Sequence, residues 1–194
     1  MRLSDARRKN KSIRLPGYDY SQAGTYFVTI CTFYRKSFLG SIIDNQMILS
    51  SIGKIAHEFW VEIQNHFSHT NLDVFIIMPN HLHGLIQISE TDDIVAAEHV
   101  QPRHTFQHVI KGSIGSIIRQ YKGSVTRWCN QNGYNKFGWQ RNFYEHIVRN
   151  EKELNRIREY IISNPIRWNF DRDNKLSYNF NMDLDEYYKT VYKN

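Results

Sequence analysis

Cysteine and long apolar runs are both scarce in this 194-residue chain. Two cysteines, Cys31 and Cys129, are too few for a disulfide framework or a cysteine-based zinc site. No apolar run approaches the roughly 20 residues of a membrane-spanning helix, and the N-terminal segment MRLSDARRKNKSIRL lacks the apolar core of a secretory signal. We therefore expect a cytoplasmic protein with no membrane partner. A content of 41% hydrophobic and 14% aromatic residues predicts a folded globule.

Acidic residues are absent from residues 99–144, whereas basic residues recur throughout that range. The basic side chains there are Arg103, Lys111, Arg119, Lys122, Arg127, Lys136 and Arg141. Within a net charge of +6, this segregation is typical of a surface that binds a polyanion. A solvated basic face is the alternative interpretation.

Hydrophobic periodicity predicts the element order β-α-β-β-α-β-α. The predicted segments are a strand at 25–33, a helix at 47–63, strands at 74–78 and 81–88 joined by a Pro-Asn turn, a long helix from 106 that ends at Asn132-Gly133, a strand at 139–148, and a helix from Asn150 to about Asn164. This order predicts an α+β fold with a ferredoxin-like antiparallel sheet and helices mainly on one face. We expect a basic arm at 1–20, one domain at 21–170 and a C-terminal extension at 171–194.

Two histidines lie inside the apolar run VFIIMPNHLHGLIQI at residues 74–88. Because residues two apart on a strand point to the same face, His81 and His83 are expected side by side. Burying both without partners would cost several kcal/mol, so they are expected to bind one divalent metal ion, share an anion, or be two structural histidines with hydrogen-bond partners. Without cysteine ligands, a mixed histidine and oxygen site suits Mg²⁺ or Mn²⁺ better than structural Zn²⁺.

A tyrosine and an asparagine lie four residues apart in the sequence REYIISNPIRW. On a helix, Tyr160 and Asn164 share one face. The amide oxygen of Asn164 is a candidate third metal ligand, which would leave the phenol of Tyr160 free to react. On spacing alone, amphipathic packing at the edge of the core is the favoured interpretation.

Four segments in this order resemble the single-tyrosine HUH transposases: YFVTICT, IIMPNHLHGLI, WQRNFYEHIVRN and LNRIREYIISNPIRW. The likeness extends from about Tyr26 to Trp168 and is greatest to the REP-associated tyrosine transposases, relatives of the insertion-sequence-200 group. It implies that His81 and His83 are metal ligands, that Tyr160 is the nucleophile and that Asn164 is the third ligand. The insertion-sequence branch is expected to carry glutamine at the position of Asn164.

The resemblance implies a metal-dependent enzyme, a transposase or endonuclease, that cleaves and rejoins single-stranded DNA near hairpins. The reaction would leave a 5′-phosphotyrosyl link and a free 3′-OH, and it needs no ATP. We expect six basic residues to contact the DNA backbone: Lys111, Arg119, Lys122, Arg127, Lys136 and Arg141. Four aromatic residues are candidates to stack on unpaired bases, although at least half are expected in the core: Tyr134, Phe137, Trp139 and Phe143.

Three alternatives remain open at this point. A rolling-circle nickase or relaxase shares the metal and tyrosine chemistry but usually carries further domains. A catalytically silent nucleic-acid-binding module derived from a transposase would keep the surface without the reaction, and a metal-dependent hydrolase would not need Tyr160. In the insertion-sequence branch the tyrosine helix is expected to serve the metal site of a partner subunit, whereas the REP-associated branch is expected to act as a monomer; we favour a monomer over a homodimer.

Overall fold

The computed structural model describes residues 22–90, 112–177, 179 and 182–193. The predicted basic arm at 1–20 and the candidate DNA contact Lys111 lie outside these residues. The strands are β1 (Gly24–Cys31), β2 (Gly40–Ile43), β3 (Gln46–Leu49), β4 (Thr70–Ile77), β5 (His81–Ile88) and β6 (Tyr144–Val148). The helices are α1 (Ser51–Val61), α2 (Ile63–His66), α3 (Ile114–Gln131), α4 (Glu151–Ser163) and α5 (Leu184–Lys193). Within the described ranges, none of these helices combines the length and apolarity that crossing a bilayer requires.

The main sheet has four strands in the order β4-β5-β1-β6, and every neighbouring pair is antiparallel. Strands β4 and β5 form a hairpin, and helices lie in the connections from β1 to β4 and from β5 to β6. This arrangement is the predicted ferredoxin-like sheet.

Alternate residues of β1 point to opposite faces of the sheet and so contact two different cores. Tyr26, Val28 and Ile30 pack with the crossover helices α1 and α3. Phe27 packs on the other side, in a cluster with side chains of α4 and α5. The crossover helices therefore share one face, while the last two helices cover the opposite face.

The predicted helix at 47–63 begins later than its apolar spacing indicated. Asp44 and Asn45 both adopt positive φ, at 49° and 61°, which is the backbone of a tight hairpin turn. Residues 46–49 consequently pair with 40–43 as a two-stranded sheet. Helix α1 starts at Ser51, where the side chain of Ser50 accepts a hydrogen bond from the backbone N–H of Gly53.

Two other boundaries are informative about the site. The predicted strand at 139–148 is regular only from Tyr144, and Trp139 makes a single bridge to Thr32. The end of the long helix at Asn132-Gly133 is confirmed, since α3 ends at Gln131 and Gly133 has φ +82°. The bridge from Trp139 to Thr32 holds the segment between Gly133 and Tyr144 against the end of β1. His81 lies at the same end of the sheet, because it is paired with Cys31 of β1.

Candidate active site

The histidine pair lies at the start of β5, on the face that α4 and α5 cover. His81 and His83 are both fully buried, and their ring centroids are 4.4 Å apart. On the opposite face of the same strand, Gly84 lets the indole of Trp60 approach the backbone, because a Cβ there would lie 2.4 Å from Trp60 Cζ2. Close packing on one face thus fixes the strand that presents both imidazoles on the other.

The side chain of Asn80 fixes the orientation of His81. Its Nδ2 donates to the carbonyl oxygens of Arg35 (3.2 Å) and Asp173 (2.8 Å), so its Oδ1 faces Nδ1 of His81 at 2.9 Å. An amide oxygen can only accept, and therefore Nδ1 carries the proton and donates. His81 Nε2 is left as a lone-pair donor for a metal ion, and within the described part of the chain it is buried without a hydrogen-bond partner.

His83 lies between a hydroxyl on its own sheet and a phenol from α4. Its Nδ1 is 2.9 Å from Oγ1 of Thr29, and its Nε2 is 3.1 Å from the hydroxyl oxygen of Tyr160. Burial, followed by the neighbouring His81, lowers the pKa of His83 well below its usual value. His83 is therefore neutral at physiological pH, which is the form in which imidazole binds a metal.

Tyr160 reaches this position from the last turn of α4. That helix begins directly after Asn150, the predicted first residue, whose Oδ1 accepts a hydrogen bond from the backbone N–H of Glu153. The phenol is only 6% exposed. Burial, followed by the carboxylate of Asp171, raises the pKa of Tyr160 well above its usual value. In this arrangement the hydroxyl is neutral and hydrogen-bonded.

Asn164 follows the last residue of α4, one helical turn after Tyr160, and is completely buried. The end of the helix before Pro165 is as predicted. Asn164 Nδ2 donates to Oδ2 of Asp171 at 3.3 Å, so its Oδ1 points away from that carboxylate. Across the residues that the structure describes, Asn164 Oδ1 is a second buried polar atom with no partner, and an oxygen of this kind is a suitable ligand for a hard divalent cation.

Sequence reasoning missed Asp171. Ligand atoms of Asp171, His81 and His83 all lie within 4.8 Å of one another, so these three side chains can hold a metal ion. Desolvation raises the pKa of Asp171, an effect that a cation among these ligands would oppose. No sequence pattern marks this residue: the run DRDN at 171–174 resembles an ordinary polar turn, yet all four residues are buried.

The fit of a metal ion to this site rests on the atoms that lack other partners. His81 Nε2 and Asn164 Oδ1 are buried with unsatisfied lone pairs in the described structure, and such atoms normally cost about 1–3 kcal/mol each. Asp171 adds a carboxylate oxygen beside both histidines. The two imidazoles and the carboxylate form a donor set suited to a divalent cation.

The predicted DNA contacts are brought together only in part. Lys122, Arg127 and Arg141 line one groove of about 590 Å³, between α3 and residues 138–141; we call it the basic groove. Arg119 and Lys136 are exposed but do not line it.

Lys122 also has a structural role in the basic groove. Its Nζ donates to the carbonyl oxygens of Gln140 (2.6 Å) and Arg141 (3.2 Å). Burial lowers the pKa of Lys122 to about 8. Lys122 thus binds the loop at residues 138–141 to α3. Arg127 and Arg141, in contrast, are exposed to solvent.

The four aromatic candidates for base stacking divide as expected. Phe137 is buried in the core of the first face, and Trp139 and Phe143 pack against that core. Tyr134 is 38% exposed and stacks on Trp128 at 5.7 Å.

No protein-family model matches this chain. A Haemophilus influenzae protein named as uncharacterized is 43% identical over 165 residues, which cover 84% of this chain and 91% of that protein. The REP-associated tyrosine transposase of Escherichia coli is 25% identical over 148 residues, or 76% of this chain and 70% of that protein. A solved structure of a REP-associated tyrosine transposase bound to a REP hairpin has a TM-score of 0.55 at 20% identity, covering 80% of this chain and 74% of that chain. This last likeness concerns the fold.

Proposed function

This chain belongs to the family of REP-associated tyrosine transposases, and we propose that it cleaves and rejoins single-stranded DNA near hairpins through a covalent tyrosine intermediate. One observation carries the proposal. The hydroxyl oxygen of Tyr160 lies 3.1 Å from Nε2 of His83, within a buried group that can hold a metal ion. The two residues are 77 positions apart in the sequence, so their contact is a product of the fold, and this supports the proposed roles.

The proposed ligands are His81, His83 and Asn164, with Asp171 as an additional carboxylate, and the proposed ion is Mg²⁺ or Mn²⁺. When bound, such an ion polarises a non-bridging phosphate oxygen and offsets the negative charge around phosphorus. Asn80 and Thr29 would hold the two imidazoles with Nε2 directed at the site. In this proposal the backbone and side chains of the sheet supply a rigid half of the site, and α4 supplies the reacting half.

Tyr160 would give up its hydrogen bond to His83 and attack the phosphorus in line with the leaving 3′ oxygen. The bond from the Tyr160 oxygen to phosphorus forms, and the bond from phosphorus to the 3′ oxygen breaks. The phenolic proton ends on the released 3′-OH, by way of the Asp171 carboxylate, whose Oδ2 is 3.5 Å from the phenol. Because the phosphodiester is retained as a 5′-phosphotyrosine, attack by another 3′-OH restores a DNA strand without ATP.

A strand can reach Tyr160 only if the cover of the site changes. His81, His83 and Asn164 have no exposed surface, and Asp171 is buried with them. Tyr187 and Tyr188 of α5 pack against Tyr160. The proposed reaction therefore requires α5 to move away from the sheet, while Asp171 stays beside the histidines.

The basic groove is the proposed contact for the phosphate backbone of the substrate. Arg127 and Arg141 are the exposed cations that line it. Guanidinium contacts of this kind supply salt-dependent affinity rather than sequence selection. Because Tyr160 contacts His83 of the same chain, one copy contains the whole proposed site, which supports action as a monomer.

Formation of a covalent adduct tests the proposal. The full chain is incubated with end-labelled hairpin DNA carrying single-stranded flanks and Mg²⁺ or Mn²⁺, and a denaturant-resistant protein–DNA adduct is sought on a gel. The adduct should disappear in Tyr160→Phe and after chelation. The matched control is Tyr187→Phe, which removes a hydroxyl only 3.5 Å from that of Tyr160 and should leave adduct formation in place.

The other outcomes point to different functions. Hairpin binding without an adduct in the wild type would indicate a silent binding module. Cleavage that persists in Tyr160→Phe would indicate a metal-dependent hydrolase. An adduct that is lost in Tyr187→Phe but retained in Tyr160→Phe would reassign the nucleophile and contradict the proposal.

A further inference from the structure

We propose that Phe33 and Tyr34 form a stacking platform for unpaired DNA bases, on the path between the basic groove and the histidine site. This inference rests on the proposed function, which supplies the single-stranded substrate. The two side chains are 48% and 67% exposed, and their ring centroids are 4.1 Å apart. They form a contiguous aromatic surface directly after β1.

The backbone of this turn is held in an unfavourable conformation. Tyr34 and Arg35 both have left-handed φ values, 53° and 51°, and two consecutive residues with a Cβ rarely adopt them. The hydroxyl of Thr32 donates to the carbonyl of Lys36 at 2.7 Å, and the N–H of Phe33 donates to the carbonyl of Gly138 at 2.7 Å. Strain that the surrounding structure maintains in this way is a feature of binding sites. Here the consequence is that two aromatic rings stay exposed to solvent.

Contacts on both sides place the turn between the two parts of the proposed DNA path. On one side the backbone N–H of Phe33 is hydrogen-bonded to the carbonyl of Gly138, and Gly138 lines the basic groove together with Arg127. On the other side Arg35 Nε is paired with Asp173 Oδ1 at 2.6 Å, two residues after Asp171. In this inference, a strand that has its phosphates in the basic groove and one phosphate at Tyr160 runs along these rings.

Bases of a single strand are the ligand that fits this surface. Every base has a π-face, so exposed rings beside a cationic groove bind a single strand with little sequence preference. A hairpin stem has its bases paired and cannot stack on the platform in the same way. The rings should therefore add affinity for the unpaired extension of a hairpin and none for the stem.

Binding measurements with two DNAs test this inference. A blunt hairpin and the same hairpin with a single-stranded extension are titrated with the full chain, in a Tyr160→Phe background so that the DNA stays intact. The extension carries 2-aminopurine at successive positions to report stacking. Tyr34→Asn removes the ring while keeping a residue that tolerates left-handed φ, and Tyr34→Phe keeps the ring.

Tyr34→Asn should weaken binding of the extended hairpin about tenfold, the loss expected for one stacked base. It should also increase the fluorescence of at least one bound 2-aminopurine and leave the affinity for the blunt hairpin unchanged. Tyr34→Phe should behave as the parent protein. The control Ile43→Ala removes an exposed apolar side chain of β2, 54% exposed, and should leave the affinities for both hairpins unchanged.

Unchanged affinity and fluorescence in Tyr34→Asn would overturn the inference, as would an equal loss for both hairpins. These readouts need no cleavage, so they are independent of the adduct assay. If the wild type forms no adduct but the extended hairpin still depends on Tyr34, the platform stands and the proposed chemistry fails. If the adduct forms but Tyr34→Asn binds normally, the chemistry stands and the platform fails.

Discussion

Asn80 connects three parts of the site, and its removal provides a quantitative test of the geometry. Its Nδ2 donates to the carbonyls of Arg35 and Asp173, and its Oδ1 accepts from His81. The side chain is buried, with 2% of its surface exposed. Asn80→Ala would therefore leave two carbonyl oxygens and one imidazole N–H without partners in a region from which water is excluded.

The expected loss of stability follows from these three bonds. At about 0.5–1.5 kcal/mol for each of the three net hydrogen bonds, Asn80→Ala should lower the free energy of unfolding by about 1.5–4.5 kcal/mol. Loss of the bond that orients a histidine ligand should also weaken metal binding about 10- to 100-fold. Asn80→Asp separates the two effects, because it keeps an acceptor for His81 but places a second oxygen against two carbonyls. The Asp variant should lose stability like the Ala variant while keeping more of the metal affinity.

Urea unfolding of the metal-free protein and calorimetric titration with Mn²⁺ measure the two quantities separately. Asn65→Ala is the control, since its Nδ2 makes an exposed bond to Glu62 and its loss should cost less than about 0.5 kcal/mol. An Asn80→Ala protein that binds Mn²⁺ as tightly as the wild type would refute the role of Asn80 in orienting His81. An Asn80→Asp protein as stable as the wild type would refute the two bonds from Nδ2.

Three other measurements test separate parts of the structure. Gly84→Ala should lower the free energy of unfolding in urea by about 1–3 kcal/mol, because the new Cβ would lie 2.4 Å from Trp60. Gly123→Ala should raise the free energy of unfolding by up to about 1 kcal/mol, because its new Cβ would meet nothing within 4 Å. Burial lowers the pKa of His146 below its usual 6.5 despite its hydrogen bond to Glu153. Because the unfolded chain binds a proton at this histidine more readily than the folded chain does, the free energy of unfolding should fall as the pH drops below 6.5. The fall should be smaller in His146→Gln, and a variant with the same pH profile as the wild type would count against a neutral imidazole at this position. Arg127→Ala should reduce the slope of log affinity against log salt concentration for hairpin DNA by about 0.7–0.9. A slope equal to that of the wild type, or an equal change in the exposed control Lys54→Ala, would show that Arg127 does not contact the DNA.

Local patterns were sufficient to predict the parts of the site that lie on regular elements. The two-residue period of a strand predicted that His81 and His83 share one face, and both are buried there. The four-residue spacing on a helix predicted that Tyr160 and Asn164 share a face, and both now border Asp171. These relations depend only on backbone geometry, which the sequence period reports directly.

Relations between elements were not predictable from the residues themselves. Spacing alone favoured plain packing for Tyr160, and its place beside His83 was expected only from the family resemblance, which ended at Trp168. Asp171 lies beyond that limit, in a polar run whose burial depends on contacts with Arg35 and Asn80. The exposure of Tyr34 likewise depends on a left-handed backbone that distant hydrogen bonds maintain. Tertiary contacts decide such features, and no periodicity in the sequence reports them.

Three phenols meet at this site, and their partners distinguish the one that is placed to react. The hydroxyl of Tyr188 is 2.9 Å from Thr29 Oγ1, which in turn contacts Nδ1 of His83. Tyr188 therefore lies behind the imidazole, on the side that is used to hold it. The hydroxyl of Tyr187 is 3.5 Å from the hydroxyl of Tyr160 and also accepts a hydrogen bond from the backbone of Arg172.

Among the hydrogen bonds of the described residues, Tyr160 is the one phenol of the three that contacts Nε2 of His83. Since α5 carries both Tyr187 and Tyr188 and α4 carries Tyr160, withdrawal of α5 would remove the two other phenols and leave Tyr160, the proposed nucleophile, beside the proposed metal ligands.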